Sequence, residues 1–75
     1  MNAQTELKPY DEIRTAKNAY NLIVESGRSI ESVALDIQAS DRLIYYWANG
    51  ERSPNIKHLY ALSQLFQVPI ESILG

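Results

Sequence analysis

No cysteine occurs in the sequence, which excludes a disulfide framework and a thiolate metal centre. The single histidine, His58, cannot build a zinc site alone. A Gly-rich phosphate loop is missing, and one imidazole gives no Ser-His-Asp logic. The chain is therefore not read as an enzyme, and no metal, cofactor or small-molecule substrate is expected. Long apolar runs are missing too. The longest, such as 22–24, are only a few residues, against the about 20 that a membrane span needs. Residues 1–8 are polar and lack the apolar core of a signal peptide. These absences predict a cytoplasmic protein. Cations are also scarce. Seven Lys and Arg stand against nine Asp and Glu, a formal net charge of −2. That total counts against a nucleic-acid binder, but binding depends on the charge of one face.

What is present is helix punctuation. The 75 residues suffice for one domain, read as a flexible N-terminal arm over 1–9 and a domain over 10–75. A first helix over 10–26 follows Pro9, with Asp11 and Glu12 in its positive first turn. Ile13, Ala16, Tyr20, Ile23 and Val24 recur at helical spacing along it, and Gly27 is a left-handed stop. Ser29 caps a second helix ending near Gln38, with Val33, Ala34 and Ile37 inward. Ser40 caps a third over 41–49, with Ile44 and Trp47 inward and Gly50 at its end. Pro54 keeps Ser53 extended. Asn55 caps a fourth helix over 56–66, with Leu59, Leu62, Leu65 and Phe66 inward. A last helical turn over 70–74 closes the core. The expected fold is all-α: a compact five-helix bundle whose core includes Ala34, Ile44, Trp47 and Leu62. Only Ala39 and its neighbours separate helices two and three, which is a helix-turn-helix arrangement.

The ordered set Val33-Ala34, Ile37, Ser40, Ile44, Trp47, Gly50, Pro54, Leu59, Leu62, Leu65, Val68 and Ile73-Leu74 covers about two thirds of the chain. It resembles the phage repressor and Cro-type helix-turn-helix family, the XRE-like family. The Trp-x-x-Gly-x-x-x-Pro tail makes the match specific. The resemblance implies a repressor-like bundle and a transcription regulator of bacterial or phage setting. It implies double-stranded DNA as partner and a homodimer on a two-fold operator. By the same resemblance Asp41, Arg42, Tyr45 and Tyr46 occupy the base-reading positions. Arg42 would fork onto guanine. Asp41 would accept from cytosine N4 or orient Arg42, and the tyrosines would touch a thymine methyl or a phosphate. Phosphate anchoring falls to the helix N-termini at Ser29, Ser40 and Asn55, with Arg28, Asn49, Arg52, Ser53 and Lys57 beside them.

Three positions depart from the family pattern. Ile30 stands where a phosphate-binding Gln is common. Leu43 replaces a small hydroxyl residue, as a thymine-methyl contact or as core. Ile23 and Ala48 stand where relatives pair an Arg with a Glu, a compensated exchange because packed apolar groups can replace a buried ion pair. Tyr60, Phe66, Ile70 and Ile73 either form a dimer surface or close the core. The acidic balance, with Ile30, Leu43, Tyr45 and Tyr46 outward, leaves an alternative from another class. In it the same fold serves as a protein–protein interaction module, an anti-repressor or antitoxin-like partner.

Overall fold

In a computed structural model, residues 9–75 are described; the expected arm over 1–9 lies almost wholly outside them. Four α-helices follow in order: α1 Glu12–Glu25, α2 Ile30–Ile37, α3 Asp41–Asn49 and α4 Ile56–Phe66. The expected fifth helix is instead a single 3-10 turn, Ile70–Ser72. Pro69 opens it, and Ser72 turns its hydroxyl back to the Pro69 carbonyl at 2.7 Å, so the segment closes on itself within one turn. The all-helical expectation holds, with four helices rather than five.

Each helix starts where a side chain takes an otherwise orphaned N–H. Asp11 accepts from the Arg14 N–H at 2.9 Å, so it is the cap of α1 rather than part of its first turn. Gly27 follows α1 with φ +79, and Gly50 ends α3 with φ +73. The turn between α2 and α3 is made by Gln38 in the left-handed region, with the Ala39 N–H returning to the Ala34 carbonyl at 2.9 Å.

The core joins Ala16, Ala19 and Ile23 of α1 to Val33, Ala34 and Ile37, to Ile44 and Trp47, and to Leu59, Leu62 and Ile73. All four core residues singled out from the sequence are there. The inner face of α1 differs from expectation. Ile13 and Val24 remain 56% and 51% exposed, while Thr15 and Ala19 join the expected Ala16 and Ile23 in being buried. Small residues on that face let α1 lie close against α3, its main neighbour. Thr15 is buried without penalty because its hydroxyl donates to the Asp11 carbonyl at 2.9 Å and accepts the Gly75 N–H at 2.7 Å. The C-terminal segment is held further by Asn18, whose amide donates to the Ile73 carbonyl at 2.9 Å.

Ile13 has another use. A Cβ on Gly50 would lie 2.7 Å from its Cγ2, so α1 crosses the end of α3 only because position 50 has no side chain. Gly50→Ala is expected to cost at least about 1–2 kcal/mol from the left-handed backbone, plus displacement of Ile13. A urea titration checks this: an unchanged midpoint would mean the two helices can separate there freely.

Candidate nucleic-acid interface

The front of α3 follows from its back. Ile44 and Trp47 are wholly buried and fix the helix against the core. At about 100° per residue, Arg42 and Asn49 then stand at the centre of the opposite face. Tyr45 and Tyr46 stand on its two flanks. Asp41, Arg42, Tyr45 and Asn49 are exposed, whereas Tyr46 is half-buried. Apart from Arg52 beside Tyr46, no other part of the described chain covers this front.

Asp41 turns its carboxylate onto the Arg42 backbone N–H at 2.9 Å. In that position it serves the helix N-terminus, where a negative charge is favourable, and leaves the Arg42 guanidinium unpaired by it. Tyr46 is engaged differently: the Arg52 guanidinium carbon sits 5.3 Å from the centre of its ring.

Three helix N-termini carry the expected anchoring groups, all exposed. Ser29 Oγ accepts the Ser32 N–H at 3.1 Å, Ser40 Oγ the Leu43 N–H at 3.0 Å, and Asn55 Oδ1 the His58 N–H at 2.9 Å. An accepting hydroxyl keeps its own proton to donate, and Asn55 keeps its Nδ2 donors. Each cap can therefore hold its helix and still offer a hydrogen bond outward. Lys57 and Arg52 are exposed beside them.

Two expected phosphate contacts are placed otherwise. Ser53 Oγ is buried and faces no solvent, because its neighbour Pro54 is drawn into the core side of the loop. Arg28 is bound to its own helix: its guanidinium donates to Ser32 and pairs with Asp36 at 2.6 Å. It is the one ion pair among the described residues. The spacing 28, 32, 36 at steps of four was a readable signal of this brace. The front thus carries Arg42, Arg52 and Lys57 against Asp41 and Glu51, a small positive excess on a chain of negative total charge.

Ile30 and Leu43 are partly buried against the core, so neither is an outward apolar contact. Ile23, in place of the family's arginine, is fully buried, consistent with an apolar exchange. Ile73 is 2% exposed, and Phe66 and Ile70 pack on the core, so these residues close the domain. Tyr60 stays exposed.

His58 was missed as a support of α3. Its ring lies 5.6 Å from that of Trp47, tilted by 60°, and its Nδ1 is buried without a partner. Burial, and secondarily the charge of Lys57, hold the imidazole below its usual 6.5. The unfolded chain then binds the proton more readily than the folded one, so stability falls as pH drops below about 6.5 and through the folded-state value. Melting temperatures measured from neutral pH downward should show this decline, and His58→Gln should flatten it over that window. A wild-type curve already flat there would contradict the buried imidazole.

Comparison with known proteins agrees with the geometry. A family model described as Helix-turn-helix matches residues 20–73. The chain is similar in structure to the restriction-modification controller protein C.AhdI from Aeromonas hydrophila, with a TM-score of 0.71. That match has 14% identity and covers 84% of this chain and 96% of the other; at such identity the likeness shows the fold. No curated protein matches the sequence significantly.

Proposed function

The chain belongs to the helix-turn-helix family, and from that premise we propose that it is a sequence-specific DNA-binding transcriptional regulator. α3 enters the major groove with Arg42 and Tyr45 toward the bases, and Asp41 and Tyr46 beside them. Ser29, Ser40, Asn49, Arg52, Asn55 and Lys57 hold the flanking phosphates. It binds as a homodimer to a two-fold operator, in the cytoplasm of a bacterial host. Arg28 and Ser53 leave the contact set for the reasons above. The observation that carries this reading is a capped, nine-residue helix whose buried edge is Ile44 and Trp47 and whose front stays open.

The likeness to a controller protein supports a regulator. The family supports a binding module rather than a catalyst. No described helix is long and apolar enough to cross a membrane. The alternative of a protein-binding module loses two of its four outward residues, since Ile30 and Leu43 pack inward.

Selection of bound duplexes from a random pool, repeated over a salt series, tests the proposal. The expected product is a motif with dyad symmetry and half-sites about one helical turn apart. A pool that stays random, or retention that ignores sequence at every salt concentration, would overturn it.

A further inference from the structure

We propose that Tyr46 reads no base and is a positioning residue: its ring holds the Arg52 guanidinium ready for a backbone phosphate. The inference rests on the DNA-binding reading above and assigns a role within it.

Tyr46 and Tyr45 are adjacent in sequence and unlike in surroundings. Tyr45 is 48% exposed on its flank of α3. Tyr46 is half-buried, and Arg52 lies over its ring. The ring face under the guanidinium is taken by Arg52 and is not free for a base or a thymine methyl.

The loop that carries Arg52 is tied down on both sides. The Gly50 N–H returns to the Trp47 carbonyl at 3.1 Å, and the Glu51 N–H to the Tyr46 carbonyl at 3.0 Å. Beyond Arg52, Ser53 Oγ and Pro54 are buried. Arg52 is thus the outward point of a short span whose entry hangs on the Tyr46 backbone and whose side chain lies on the Tyr46 ring. It forms no ion pair with any described residue, so its charge is not neutralised.

The contact is a cation over a ring and occupies no acceptor, so the guanidinium keeps N–H groups that match phosphate oxygens. A cation held this way has less conformational freedom to lose on binding than a long exposed side chain would. The pair therefore couples the reading helix to the loop that grips the adjacent strand.

A short duplex of mixed sequence serves as probe, since a phosphate contact is independent of sequence. Arg52→Ala should lower the slope of log affinity against log salt by about one. Tyr46→Ala should weaken binding roughly two- to fivefold, the size of an exposed cation–π hold, and move the slope the same way. Tyr46→Phe should match wild type, because the ring remains. In the Arg52→Ala background, Tyr46→Ala should add nothing. If Tyr46→Ala melts too low to assay, Tyr46→Leu keeps apolar volume without the ring face and is read identically. The proposal is overturned if Tyr46→Phe weakens binding as alanine does, if the two losses add, or if Arg52→Ala leaves the slope unchanged. Wild type failing to bind the duplex even at low salt would sink the DNA-binding reading itself, a result distinct from those three.

Discussion

Arg42→Ala is expected to weaken binding to the selected operator by roughly ten- to a hundredfold and to relax selectivity at one base position. Arg42 stands at the centre of the α3 front, near the N-terminal end that enters deepest into a major groove. It is exposed and forms no ion pair with a described residue. Asp41 spends its carboxylate on the Arg42 backbone N–H and leaves the guanidinium available for guanine O6 and N7. Fluorescence anisotropy against the selected duplex and each single-base variant reads the effect. The loss should concentrate at one position and vanish on mixed-sequence DNA except for a uniform shift. Lys57→Ala supplies the contrast. As a phosphate contact it should weaken every duplex alike and lower the salt slope by about one. An Arg42→Ala profile parallel to wild type at every position would show that the helix does not read through this residue.

Three of the helix starts and two of the stops were legible because each depends on one residue acting locally. Ser29, Ser40 and Asn55 announce caps, and Gly27 and Gly50 announce left-handed stops, whatever the rest of the chain does. The core positions Ala34, Ile44, Trp47 and Leu62 were legible because spacing selects a face. Other features were not. On α1, apolar spacing favoured Ile13 and Val24 beside Ala16 and Ile23, yet close approach to α3 rewards the small Thr15 and Ala19; which face packs depends on the partner helix, and that information lies elsewhere in the chain. The final segment has apolar residues enough for a helix but closes in one 3-10 turn after Pro69. Among the cations, the total charge did not distinguish Arg28, which is paired with Asp36, from Arg42, which is not; only the four-residue steps from 28 to 36 carried that signal. At the site, the front of α3 was readable from its back. The pairing of Tyr46 with Arg52 was not, because it depends on how the Gly50 turn returns the loop.

Trp47→Ala is expected to cost about 3–5 kcal/mol, the usual range for emptying a buried aromatic site. For a domain of this size, whose total stability lies toward the low end of about 5–15 kcal/mol, that removes most of the stability and, at the upper end of the loss, leaves about half of the chains unfolded at ambient temperature. Circular dichroism in a urea series reads it, since the variant lacks the only indole. DNA binding should disappear with the helical signal, because Trp47 fixes α3 while making no contact of its own at the front. Trp47→Phe separates packing from polarity. The indole Nε1 is buried with no partner, and an unpaired buried donor costs about 1–3 kcal/mol. Phenylalanine removes that donor and keeps a ring against His58, so its loss should be well below alanine's, with operator selectivity retained. A phenylalanine variant as unstable as the alanine one would mean that the indole N–H costs nothing where it lies, and that the whole indole, not its ring area alone, holds the reading helix in place.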